Sequence, residues 1–266
     1  MNLGKLENAL SSDASKAIEH RCVFPEIDST NSEVLRRYQD GQRGGCLVVA
    51  QCQTSGRGRR GRQWLSPANG GLYLSLGMPF SNSAKDLQAV SLVTAISVAN
   101  GISQLNDVKL QLKWPNDVLA SNKKLAGILL ERHVAKAESY IVFGIGVNLD
   151  LSDAQRESID RPIADLKSLT NLKLEPELLA ATIVNELVAS LDRFLDSRFA
   201  PFKGLWNDYD RYAESDIVID NGGERLIGKS MGVNEAGSLM LHTATGPITL
   251  NTGEIFPSLR AAEEGG

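Results

Sequence analysis

Residues 56 to 62, Gly56-Arg57-Gly58-Arg59-Arg60-Gly61-Arg62, place four arginines and three glycines side by side in a chain of formal charge −4. Arginine presents a permanently charged fork of donors suited to phosphate or carboxylate. Glycine lets backbone N–H groups come close to a ligand and lets a segment change shape. The stretch reads as a flexible anion clamp, mobile without a ligand and ordered over one. Two more polar clusters lie at strand ends or between strands: Ser29-Thr30-Asn31, and Lys113-Trp114-Pro115-Asn116-Asp117 with Lys124. Loops on a rigid sheet are where binding residues concentrate. Together the clusters offer hydroxyl and amide partners for a neutral polar head, and cations for several anionic oxygens.

No Ser-His-Asp or Cys-His arrangement is apparent, which points to chemistry among bound phosphates and carboxylates, driven by positioning and charge stabilisation. Opposite charges 4 Å apart attract by about 4 kcal/mol at an effective dielectric of ~20. Two or three such contacts offset much of the repulsion between a carboxylate and a phosphate, less what solvent screens. Taken singly, each residue has a plainer reading. Lys113 or Lys124 alone is a solvated strand residue, Trp64 or Trp114 a core residue, and Asn116-Asp117 a turn.

The elements that must position these groups are legible in the apolar pattern. Residues 3–20 read as short helical pieces leading into a strand around 22–27. Ser29 or Thr30 caps the helix that follows, with Glu33 completing a capping box if Thr30 is the cap. Residues 46–50 are a short apolar run suited to a buried strand. The arginine stretch after it matches GxGxxG, but a dinucleotide fingerprint needs the third glycine to open a helix and an acidic residue about 20 positions on. Here 62–71 is full of breakers and the next acidic residue is Asp86, so a Rossmann unit is rejected.

Residues 72–78 form a strand, 86–105 a mostly buried helix, and 108–114 an alternating strand. Pro115 keeps Trp114 extended, a turn begins at Asn116-Asp117, and a hairpin arm returns through 124–131. Residues 140–149 are a further strand, with Gly144 and Gly146 on one face where something approaches the backbone closely. Residues 150–175 are polar and irregular, and Pro176 opens a long amphipathic helix. Beyond about residue 214, short strands separated by Asn221-Gly222-Gly223, Glu235-Ala236-Gly237 and Thr245-Gly246-Pro247 suggest a small β-barrel. The expected division is 1–214 and 215–266.

The 266-residue length and 42% hydrophobic content suit a globular chain with a large core. Its acidic balance argues against general nucleic-acid binding. Cys22, Cys46 and Cys52 form no CxxC pair, and an odd count suits a reducing, cytoplasmic setting. His20, His133 and His242 follow no zinc spacing. No signal core or membrane-length apolar run is present.

The motifs resemble those of the biotin protein ligases, in the form without an N-terminal DNA-binding domain. The residues that carry the likeness are Asp28-Ser29-Thr30-Asn31, residues 56–64 ending in Gln63-Trp64, Lys113 to Asp117, Lys124-Leu125-Ala126-Gly127-Ile128-Leu129, Gly144-Ile145-Gly146-Val147-Asn148 and Gly253-Glu254-Ile255. It spans roughly residues 18 to 260, and three motifs in this order are far more specific than one glycine pattern. The resemblance implies an α+β fold: a class II synthetase-like catalytic domain with a central mixed or antiparallel sheet and helices on one face, plus an SH3-like C-terminal barrel. It implies that biotin's carboxylate attacks the α-phosphate of ATP, with Mg2+, and that a lysine of a biotin carboxyl carrier protein then takes the acyl group from biotinyl-5′-AMP. The carrier would belong to acetyl-CoA carboxylase or another biotin-dependent carboxylase.

By the same resemblance Ser29, Thr30, Asn31 and Gln53 bond the biotin head. Arg57, Gly58 and Arg59 close over the biotin tail and adenylate, Lys124 holds the carboxylate during adenylation, and Gly127 admits the ligand to the backbone. Arg62, Lys113, Asn116 and Asn148 serve the nucleotide. Neither DNA nor membrane is expected as a partner, and a homodimer is left open. Departures from the family are Thr54-Ser55 before the loop and Phe256-Pro257 in the last stretch. Lipoate ligases share the architecture but lack an arginine loop of this composition. A nucleic-acid module would show interleaved aromatics, and a ligase-repressor would need roughly 60 residues of winged helix before Ser29.

Overall fold

The computed structural model describes residues 1–80, 87–135, 138–170 and 175–256. Two short helices, α1 (Leu3–Ala9) and α2 (Ser12–Ala17), lead into strand β1 (Ile18–Phe24). Helix α3 (Thr30–Gln39) and strands β2 (Gly45–Ala50) and β3 (Gly71–Pro79) follow, with a single 3-10 turn at Arg59–Gly61. Next come α4 (Leu87–Ser103), β4 (Leu110–Lys113), β5 (Asp117–Ala120), β6 (Lys123–Ala135) and β7 (Glu138–Asn148). Helices α5 (Asp153–Glu157), α6 (Leu166–Leu169), α7 (Pro176–Ser197) and α8 (Ala200–Tyr209) complete the helical part. The chain then forms β8 (Asp216–Asn221), β9 (Glu224–Val233), β10 (Leu239–Thr243), β11 (Gly246–Leu250) and β12 (Glu254–Phe256).

The main sheet has seven strands in the order β1-β2-β3-β7-β6-β5-β4. It is mixed: β1 runs parallel to β2, and its other pairings are antiparallel. Because successive side chains point to opposite faces, the alternation sorts them into two layers. Leu72, Leu74, Leu76, Phe143, Ile145, Val147 and Ile128 face the core against α4 and α7. Helix α4 is buried almost all round, from Val90 through Ile102. Its Thr94 and Ser97 hydroxyls donate to the carbonyls of Val90 and Val93, four residues back, which removes the cost of burying them. Helix α7 shows the stripe expected of it, with Leu179, Ile183, Leu187, Leu191 and Phe194 buried.

The opposite face is thinner. There α3 packs through Val34 and Tyr38 on Cys46, Val48, Tyr140 and Val142. Register then builds a row across five strands on this face, Tyr73–Gly146–Gly127–Asp117–Lys113. The neighbouring row is Ser75–Gly144–Leu129. Glycines occupy the middle of these rows, and Asp117 and Lys113 close one end of the longer row, leaving a trough floored by backbone.

Several expectations need adjustment. Ser29 is the cap of α3, accepting from the Ser32 N–H, while Glu33 pairs with Arg36 and Arg37; there is no capping box at Thr30. A three-residue separation puts Ser32, not Glu33, at the position that would answer Ser29. Residues 116–120 are a turn followed by a strand of their own, β5, hydrogen-bonded between β4 and β6. The segment after β7 is not wholly irregular: Ser152 and Gln155 form a capping box that opens α5, and Asp165 caps α6. Residues 171–174 and 257–260 lie outside the described residues.

The C-terminal strands form a second, five-stranded antiparallel sheet in the order β11-β10-β9-β8-β12. Its turns fall at the expected glycines, with Gly222 and Gly223 at φ 72° and 98°, values that disfavour side chains. The sheet is seated on the main core: the Trp114 indole N–H donates to the Gly237 carbonyl at 3.1 Å. A Cβ on Gly237 would come within 2.8 Å of the Ala89 backbone.

Candidate active site

Every residue given a binding role from the sequence lines one cleft of about 300 Å³: Ser29, Thr30, Asn31, Gln53, Arg57, Gly58, Arg59, Arg62, Lys113, Asn116, Lys124, Gly127 and Asn148; Arg60 of the arginine stretch does not. The cleft lies over the glycine rows, between the N-terminus of α3 and the arginine stretch.

One end is neutral and hydrogen-bonding. Ser29, Thr30 and Asn31 are buried where α3 begins. Their position is held from outside by Asp28, which accepts from the Ser29 N–H at 2.7 Å and pairs with both terminal nitrogens of Arg36 at 2.8 Å. The Arg36 bond holds the Asp28 carboxyl at about 2, below its ordinary value, against a smaller opposing effect of burial. Gln53 Oε1 accepts from both the N–H and the hydroxyl of Thr30, at 2.9 and 3.1 Å, and Gln53 Nε2 donates to Ser66 Oγ at 2.8 Å. Ser75 Oγ lies 2.7 Å from Thr30 Oγ1 and 2.5 Å from Asn31 Oδ1. Gly144 is required here, since a Cβ would sit 2.2 Å from Asn31 Oδ1. A buried polar network of this kind fixes rotamers and so presents a defined shape.

The other end is cationic. The arginine stretch is a small hairpin, with the Gly58 N–H donating to Arg62 O at 2.7 Å and the Trp64 N–H to Gly56 O at 3.0 Å. Arg60 and Gly61 take left-handed backbone, φ 57° and 72°, to turn it. Each arginine is held by a protein acceptor. Arg57 donates to Glu131 at 2.7 Å, Arg59 to Asn116 at 3.0 Å, and Arg60 to Asp220 of β8 at 3.1 Å. Arg62 grips Glu254 of β12 with two bonds of 2.9 and 2.8 Å. Burial pushes the Arg59 guanidinium below its ordinary value, and Asp117 offsets part of that. Burial also raises the Glu254 carboxyl, but the Arg62 bond and nearby cations outweigh it and its pKa falls. The second sheet therefore supplies two carboxylates that hold the loop.

Lys124 pairs with Asp117 at 2.7 Å, both side chains only 15% exposed, and lies 5.2 Å above the Trp64 ring. Trp64 roofs the glycine row: a Cβ on Gly146 would meet its ring at 2.5 Å and one on Gly127 at 2.8 Å. The close approach expected at Gly127 and Gly146 is thus made by Trp64, and that at Gly144 by Asn31. Burial lowers the pKa of Lys113, with Asp117 opposing. Asn148 donates to the Lys124 and Ala164 carbonyls at 3.3 and 3.0 Å, tying the segment after α5 to β6.

Sequence reasoning missed four groups here. Glu131, Asp117 and Arg161 were given no role, and Trp64 was noted in a motif without one. Glu131 had a signal, since it falls four residues from Gly127 on the same strand face. Arg161 and Asp160 line the cleft from a polar loop whose pattern carried none.

Comparison with known proteins puts this mixed sheet and its cleft in the class of the biotin/lipoate protein ligases. The model of the Biotin/lipoate A/B protein ligase family matches residues 23–148. The bifunctional ligase/repressor BirA of Escherichia coli (strain K12) is 32% identical over 243 residues, covering 91% of this chain and 74% of that protein. The biotin–[acetyl-CoA-carboxylase] ligase of Paracoccus denitrificans is 32% identical over 88% of this chain and 99% of its own. In three dimensions, the biotin protein ligase from Aquifex aeolicus solved with biotin and ATP superposes with a TM-score of 0.75 at 26% identity, covering 90% of this chain and 98% of that one. The chain belongs to the biotin protein ligase family.

Proposed function

We propose that this protein attaches biotin to a lysine of a biotin carboxyl carrier domain, through a bound biotinyl-5′-AMP. The observation that carries the reading is the division of one cleft into a neutral, hydrogen-bonding end and a cationic end. Biotin's ureido ring is polar and uncharged, so its buried partners must be donors and acceptors rather than charges. Ser29, Thr30, Asn31 and Gln53 meet that need. Its carboxylate and the ATP phosphates repel one another, and Arg57, Arg59 and Lys124 lie where the two meet.

In the first step a carboxylate oxygen attacks the α-phosphorus, forming the acyl–phosphate bond as the bond to the β-phosphate breaks and pyrophosphate leaves. No proton moves, so positioning and charge suffice. Lys124 and Arg59 stabilise the charge at the α-phosphate, while Arg62, Lys113, Asn116 and Asn148 serve the nucleotide. In the second step the neutral amine of the carrier lysine attacks the acyl carbon, AMP departs and the amine loses a proton. Between steps the anhydride must be kept from water, which the hairpin of residues 56–64 accomplishes as a lid.

Magnesium enters with the nucleotide. Among the described residues no group of three or more His, Cys, Asp and Glu side chains could hold a metal. Magnesium commonly uses phosphate oxygens and waters with few protein ligands, so this donor set fits an ion carried by ATP. Placement in the cytoplasm follows from the cysteine usage; no described helix is long and apolar enough to cross a membrane. DNA is not among the proposed partners, because the net charge is −4 and each lid arginine is engaged by a protein acceptor.

The test is transfer of labelled biotin, with ATP, to a carrier domain, with lipoate as control. Labelling of one lysine, dependent on biotin and ATP, is expected. Pyrophosphate–ATP exchange that required lipoate instead would overturn the substrate assignment.

A further inference from the structure

A carboxylate bonded to two residues of the cleft wall, Glu131, has no part in that scheme. Glu131 projects from β6 on the site face, and its Oε2 accepts two hydrogen bonds, one from Asn31 Nδ2 and one from Arg57, both of 2.7 Å. Asn31 belongs to the neutral end of the cleft, and Arg57 is the first arginine of the lid. Glu131 therefore joins the two ends. Its path runs on through Asn31, Ser75, Thr30, Gln53 and Ser66 to the Trp64 carbonyl at the other foot of the lid. Arg57 holds a carboxylate in this structure, and by the proposed function it lies, with Arg59 and Lys124, where the ligand's carboxylate meets the phosphates.

We propose that Glu131 is a stand-in for the ligand's carboxylate, a positioning residue that holds Arg57 over the cleft and competes with the incoming acid for it. This rests on the biotin-ligase reading. A carboxylate arriving at Arg57 meets both the competition and the like charge of Glu131. A neutral acyl group of the same shape meets neither. Glu131 thus weakens binding of the free acid while leaving the activated acyl group, which has lost its carboxylate charge, unopposed at that point. The pair is part-exposed, with Arg57 41% and Glu131 24% accessible, so the effect is a moderate one.

The experiment compares biotin with its neutral carboxamide, biotinamide, by calorimetry on the full chain without nucleotide. The variant is Glu131→Gln, whose side-chain oxygen still accepts from Asn31 and Arg57. The preference for biotin over biotinamide should rise by about two- to fivefold, the range a part-exposed ion pair commands. Glu131→Thr, which suits a strand, carries the same expectation if the glutamine variant melts early. A preference that stays put or falls overturns the proposal; a merely structural role would weaken both ligands together and leave their ratio unmoved. If the unaltered protein bound neither ligand, the biotin reading itself would fail instead.

Discussion

Gly146→Ala isolates the contribution of the roof over the cleft. The added methyl would sit 2.5 Å from both Cε2 and Nε1 of Trp64. Unstrained contacts between carbon atoms lie at about 3.5–4.0 Å, so the ring must move by roughly 1 Å. Its Cζ3 lies over Gly127, 2.8 Å from where a Cβ there would be, so the ring already spans both glycines. It must lift outwards. That motion opens the 5.2 Å contact between the ring and the Lys124 ammonium, and strains the Trp64 N–H bond to Gly56 that closes the hairpin. Overpacking of this size costs about 1–3 kcal/mol. Since the ring is part-exposed, the strain is relieved by displacing the lid rather than by unfolding. Stability should change little, with Tm lower by about 2–4 °C. Retention of biotinyl-AMP should weaken by roughly 5- to 150-fold, which is 1–3 kcal/mol expressed as an equilibrium constant. The chain has three tryptophans, and Trp114 and Trp206 are fully buried, so a red shift in emission reports Trp64. An alanine variant with unaltered emission and unaltered adenylate retention would refute the account.

Two further outcomes are expected. Burial lowers the Lys113 pKa from 10.5, so its positive charge is complete at lower pH and is lost, as pH rises, sooner than for a free lysine. Pyrophosphate–ATP exchange should therefore decline on the alkaline side below pH 10.5, and Lys113→Arg should move that decline upward; an unmoved alkaline limb would exclude Lys113 as its source. Arg59→Gly removes a part-buried cation and its bond to Asn116, and should release free biotinyl-AMP at least tenfold faster, the equivalent of about 1.4 kcal/mol, while slowing its synthesis less; equal release from both proteins would contradict a retention role.

Much of the site was legible in one dimension because its determinants are local. Ser29-Thr30-Asn31 begins a helix, the arginine stretch is contiguous, and Gly144 and Gly146 share a face by the two-residue period of a strand. Strand β5 was missed because four residues directly after a turn carry too short an alternation. Helices α5 and α6 were missed because they are five and four residues long, too short for an apolar stripe to repeat. Partners of the charges were not legible at all. Arg60 meets Asp220 and Arg62 meets Glu254 from separations of 160 and 192 residues.

The sequence by itself determined the chemistry of the cleft: which groups are neutral, which are cationic, and that glycines recur between them. It could do so because side-chain type and short-range period are properties of adjacent residues. Only the tertiary structure decided that Trp64 fills the space over Gly127 and Gly146 and that a second sheet grips the lid. It also decided that Arg57 pairs with Glu131, 74 residues away. Those facts depend on strand register and on how two sheets pack, which are settled by burying the whole core at once.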